Sequence, residues 1–212
     1  MKPSLMIAIT ILAVGCSGKD ESTTETKPPE IEKEELLPIP DKVTKEFVMD
    51  LWSQPNNETN LNRLIEKIAP KSGVWKTKRE MGPNENEMIN SIEGTLTIKF
   101  VNRRFVVWNY NNNNATAYSA ITYDFEKEKY YWWEFGDESP NGEFYTTYEG
   151  QIIDDNAIEW NSIDRSDDLN FKIKHFIRSA NTIEMMVEAS KDNKPLGVAK
   201  DNVLWSEELP KK

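Results

Sequence analysis

The sequence predicts a mainly β fold, an antiparallel up-and-down barrel of about ten strands preceded by two short helices. Three observations carry this. Beyond residue 70 apolar and polar residues alternate with period two, as strands with one buried face require. Clusters of Asn, Asp, Gly, Ser and Pro separate the alternating runs at short intervals, and no run of helical periodicity intervenes between them. Many hairpin-linked strands with nothing to cover their edges favour a sheet that closes on itself.

The elements follow in order. Val43, Phe47, Val48, Leu51 and Trp52 recur at helical spacing after Asp41, a candidate N-cap, and the run stops at Pro55. A second helical stripe, Leu61, Leu64, Ile65 and Ile68, spans about residues 59–69 and ends before Pro70 and Gly73. Strands are predicted over 74–80, 92–100, 104–110, 117–124, 129–135, 143–152, 157–161, 171–178, 182–189 and 198–205. The cleanest alternation is Ile92, Gly94, Leu96, Ile98 and Phe100 against Glu93, Thr95, Thr97 and Lys99. Turn chemistry lies at 111–114, 125–128, 139–142, 154–156, 166–168, 179–181 and 192–195. Strands 104–110 and 129–135 are apolar on both faces, so something must cover the outside of the barrel there. The helical stripe of Phe47, Leu51, Trp52, Leu61 and Ile65 is the expected cover.

The N-terminus predicts an address. Lys2 gives a positive start, Leu5 to Val14 form an apolar run broken by Thr10, and the run is about half the roughly 20 residues that cross a bilayer. Residues 1–15 thus read as a secretory signal. The ending Leu12-Ala13-Val14-Gly15-Cys16 resembles the lipobox of bacterial lipoproteins, which implies that Cys16 is acylated and becomes the first mature residue. Acyl chains contribute about 0.8 kcal/mol per buried methylene, so two or more hold a protein on a membrane. The resemblance therefore implies a lipid-anchored protein of the bacterial cell envelope, and Ser17 after the Cys favours the outer membrane in a Gram-negative cell. From 16 to 40 the composition is Ser, Thr, Lys, Glu and Pro with no aromatic, too polar to offset the entropy of ordering, and reads as an acidic tether. A helical segment at 41–70, packed on a barrel domain at 71–212, completes the predicted organisation.

Leu64, Gly73 and Trp75, then Gly94, then Ala120-Ile121-Thr122-Tyr123-Asp124 with Lys129-Tyr130, and Tyr148-Glu149-Gly150 resemble the bacterial lipocalin-like domain family known as domain of unknown function 1579. The likeness runs over roughly residues 61–206. It implies a calycin-like, lipocalin-like β-barrel with no established chemistry.

Composition narrows the function. A net charge of -10 repels phosphate backbones, so nucleic acid is not an expected partner. One Cys and one His cannot form an internal disulfide or a Cys/His zinc cage, and no cofactor is expected. The Asp137-Glu138, Asp154-Asp155 and Asp167-Asp168 pairs sit in or beside predicted turns, where local hydrogen bonding favours Asp, and not across a cleft as glycoside hydrolysis needs. No Gly-x-Ser-x-Gly elbow accompanies the lone imidazole, so no enzyme is predicted. His175 alternates with Phe171, Ile173 and Ile177 and should point inward; an axial haem ligand is one reading of such a residue in related small barrels, an interior histidine the preferred one. Trp108, Tyr110, Tyr130, Trp132 and His175 are the candidate lining of a lumen that takes a small apolar ligand. The alternative is a solidly packed barrel that serves as an interaction scaffold for an envelope protein or glycan.

Overall fold

The computed structural model describes residues 36–58, 61, 63–138 and 141–210. Cys16, the predicted signal and most of the predicted tether lie outside the described residues. Ten strands run β1 (Gly73–Gly82), β2 (Asn90–Val101), β3 (Phe105–Asn112), β4 (Ala115–Asp124), β5 (Lys129–Glu138), β6 (Gly142–Asp154), β7 (Ala157–Arg165), β8 (Asn170–Ser179), β9 (Thr182–Lys191) and β10 (Lys194–Glu207). Each pairs antiparallel with the next, and β1 pairs with β10 to close the barrel. The predicted architecture is the observed one. Strands exceed their predicted bounds mainly at the hairpin ends, where polar residues keep the ladder without keeping the alternation. The turn expected over 192–195 is tighter, because Asp192 and Asn193 alone take positive φ (51° and 61°) and Lys194 already belongs to β10.

The inner faces of the strands form one core: Trp75, Leu96, Ile98, Phe100, Val106, Trp108, Ile121, Tyr130, Trp132, Tyr148, Ile158, Trp160, Ile173, Ile183, Met185 and Val203. A second core lies outside the barrel. There helix α1 (Lys45–Ser53) sets Val48 and Leu51 against Val101, Phe105, Val107, Ala120 and Trp133, with Phe47 edge-on to Phe105 and Trp52 edge-on to Tyr118. This cover explains the two doubly apolar strands. The N-cap is Thr44, whose hydroxyl accepts the Phe47 N–H, and not Asp41. Leu37 and Ile39 also pack on this outer face, and Arg104 donates to the Leu37 carbonyl, so the packed domain reaches back before residue 41.

Helix α2 (Arg63–Glu66) is shorter than its stripe predicted and does something different. Leu61, Leu64, Ile65 and Ile68 pack on the inner core, not in the outer layer where Leu61 and Ile65 were expected. Tyr130 Oη donates to the Leu64 carbonyl at 3.0 Å, Lys67 to the Asp155 carbonyl at 3.0 Å and Lys71 to Asn181 Oδ1 at 2.5 Å. These bonds tie the segment to the β6–β7 and β8–β9 turns, so α2 stoppers one end of the barrel.

Gly150 on β6 stands opposite Trp160 on β7, and a Cβ there would lie 2.5 Å from the indole ring. Since Trp160 is fully buried, it has no space to retreat into. Gly150→Ala is therefore expected to destabilise the fold by about 1–3 kcal/mol through overpacking. Urea unfolding of the two proteins measures it; equal midpoints would show that the indole can shift.

Candidate functional site

The lumen has two zones. Towards the stoppered end it is filled by ring upon ring: Tyr123 against Tyr130 (4.9 Å between centroids), Tyr130 against Trp160 (6.1 Å), Trp160 against Trp132 (5.6 Å), Trp132 against Trp108 (5.3 Å) and Trp108 against His175 (5.8 Å). Trp132 is the hub, since Tyr148 also leans on it at 4.8 Å. Towards the other end lies a cavity of about 580 Å³, whose lining extends to the hairpin residues Glu138, Gly142, Ser166 and Asp167. Its floor is apolar, from Leu96, Trp108, Trp132, Ile173, Met185 and Val203.

Its wall carries charge. Arg79 donates from Nε and Nη2 to both oxygens of Asp201 at 2.7 and 2.8 Å, a bidentate pair directly across the β1–β10 seam. Asp201 is only 4% exposed and holds Arg79 above its ordinary range by its charge. Arg165 grips Asp167 in the same fashion at 2.8 Å twice, donates its third nitrogen to Thr146 Oγ1 at 2.6 Å and lies over the Phe171 ring. That pairing holds the Asp167 carboxyl below the usual carboxylate range. Glu134, flanked by Ser119 on β4 and Thr146 on β6, lines the cavity too. Burial pushes its carboxyl up, against the opposing pull of Arg79 and Arg165. The Tyr148 hydroxyl is likewise pushed up by burial.

Of the residues singled out in the sequence, Trp108, Tyr110 and Trp132 line this cavity. Tyr130 and His175 face inward but lie outside its lining, Tyr130 against α2 and His175 behind Trp108. His175 is fully buried, and neither ring nitrogen has a hydrogen-bond partner among the described residues. Sequence reasoning passed over Arg79, Glu134, Tyr148, Arg165 and Asp201. The signal was available for three of them: Arg79 is in phase with Trp75 and Thr77, Glu134 with Tyr130 and Trp132, and Asp201 with Val203. A charge in phase with a buried face is the mark of a polar lumen. Among the described residues no three His, Cys, Asp or Glu side chains are grouped as metal ligands.

Burial alone pushes the His175 imidazole down to about 4. Above pH 6.5 both folded and unfolded chains carry it neutral; between 6.5 and about 4 the unfolded chain binds a proton that the folded one refuses, so stability falls as pH falls. The loss should reach about 3 kcal/mol near pH 4. The difference in unfolding free energy between wild type and His175→Phe, followed over this range, isolates the effect from the carboxyls. A constant difference would place the imidazole in contact with water or a hydrogen-bond acceptor.

No protein-family model matches this chain, and no curated protein sequence matches it.

Proposed function

We propose that this protein is a non-catalytic binding lipoprotein that holds a small, largely apolar molecule in its barrel lumen, while an acylated Cys16 keeps it on the membrane of a bacterial envelope. The observation that carries the reading is the cavity itself. Its 580 Å³ falls within the range of small-molecule sites, and an apolar floor with a few convergent polar groups is their usual make-up. The rival reading, a packed scaffold with an exposed aromatic platform, loses support because Trp133, Phe105 and Val107 are buried under α1. A catalytic role finds little support, since His175, the one imidazole, engages no nucleophile. A ten-stranded closed barrel also suits the lipocalin-like family that the Gly-x-Trp and Tyr-Asp pieces resemble, and membership of that family is part of the proposal.

Two experiments test it. A neutral naphthalene dye should bind saturably with quenching of Trp fluorescence, and Val187→Trp, which fills the lumen from a half-buried lining position, should weaken binding by about tenfold or more, or ~1.4 kcal/mol, without lowering the melting temperature. Binding that survives Val187→Trp would move the ligand out of the lumen. Separately, Cys16→Ser should shift the full chain from the membrane fraction to a soluble or unprocessed form; unchanged partition together with an unmodified wild-type N-terminus would remove the lipid anchor from the reading.

A further inference from the structure

The lumen holds more acid than its own bases can answer, and this bears on what the cavity accepts. Both guanidiniums are already matched: Arg79 by Asp201 through two bonds, Arg165 by Asp167 through two bonds and by Thr146 through a third. Glu134 is left over. Among the described residues its carboxyl makes no ion pair within 4 Å and no hydrogen bond, although it is half-buried and borders the cavity. Beside it on the same inner surface are aromatic faces, Trp132 two residues along β5 and Tyr148 two residues beyond Thr146 on β6. Further acid stands towards the hairpin end, Glu138 and Glu143, of which Glu143 is engaged by Lys45 at 2.6 Å.

An anionic ligand would have to compete with an aspartate for a guanidinium already held bidentately, and would face Glu134 as well. A cation meets a carboxylate without an ion-pair partner beside aromatic rings, two kinds of attraction that reinforce each other where water is partly excluded. Resting on the reading that the lumen binds a small molecule, we infer that the ligand is a protonated amine carried on an apolar or aromatic body, with Glu134 as its counter-charge.

Three probes that share a phenyl ring and differ in the head group decide it: phenethylamine, 2-phenylethanol and 3-phenylpropionate, titrated calorimetrically into the full acylated chain in neutral detergent at neutral pH. The amine should bind at least about tenfold more tightly than the alcohol, and the acid more weakly than either. Glu134→Gln should bring the amine to the level of the alcohol and leave the alcohol unchanged. The inference is overturned if the acid equals or outbinds the amine, or if the amine keeps its advantage in Glu134→Gln. Should that variant fail to fold, the order of the three probes on the wild type decides alone. If the naphthalene dye binds and the amine shows no advantage, this inference falls and lumenal binding stands; if neither the dye nor any probe binds, both fall.

Discussion

A closed sheet of ten strands encloses more space than an eight-stranded one, whose inward side chains just fill it, and the rest of this molecule follows from how that surplus is divided. Large rings solve half the problem. Trp132, with Trp108, Trp160 and Tyr148 around it, fills the middle of the lumen, and Gly150 is there because Trp160 needs its place. Helix α2 and the turn after it supply the apolar surface that closes one end, where Ile65, Ile68 and Ala69 complete the same core. Near the other end the inward residues are long and charged, and such side chains repel close packing. The cavity is therefore the consequence of a change in side-chain type along the strands.

Charge inside a barrel is tolerated only when it is paired, because a buried ion without a partner carries the full cost of its desolvation. Arg79 and Asp201 meet this condition where it matters most for topology. They sit opposite each other on the first and last strands, 122 residues apart in sequence, and their two bonds bridge the seam on which closure depends. Glu134 breaks the condition. Its neighbours Ser119 and Thr146 are small, so they leave the carboxyl room without giving it a cation, and Thr146 is already used by Arg165. A carboxyl held only by the more distant pull of Arg79 and Arg165 costs stability, and on the proposed reading a ligand's ammonium would supply the direct partner.

The sheet was legible because its signal is local. Strand alternation and turn residues are read within eight or ten positions, and the order of a meander needs no long-range information. Which face of β3 and β5 was inner was not legible, since Val107 and Trp108, or Trp132 and Trp133, look alike without knowledge of α1. The same gap misplaced α2: the stripe of Leu61, Leu64, Ile65 and Ile68 specifies an apolar neighbour but not which one. In the site, the aromatic floor was read and the charged wall was missed. In sequence Asp167 reads as turn composition, and it does accept the Leu169 N–H in that role, yet the same carboxylate also anchors Arg165. One residue can satisfy a local rule and a long-range one together, and only the local one is visible in sequence.

The two layers of packing make the barrel unequal around its circumference. The wall formed by β3, β4 and β5 is held from both sides, by α1 outside and by the aromatic hub inside, so Trp108 and Trp132 sit in a doubly braced surface. On β6 and β7 Ile152, Ile153 and Ile163 are exposed, and on β10 so are Leu196 and Leu204. Those strands lean on the lumen alone, and part of what they lean on is cavity. Segments with fewer buried contacts open at lower free energy. On the proposed reading, a ligand that fits imperfectly would be accommodated on the side of β6, β7 and β10, while the doubly braced Trp108–Trp132 surface would keep its shape.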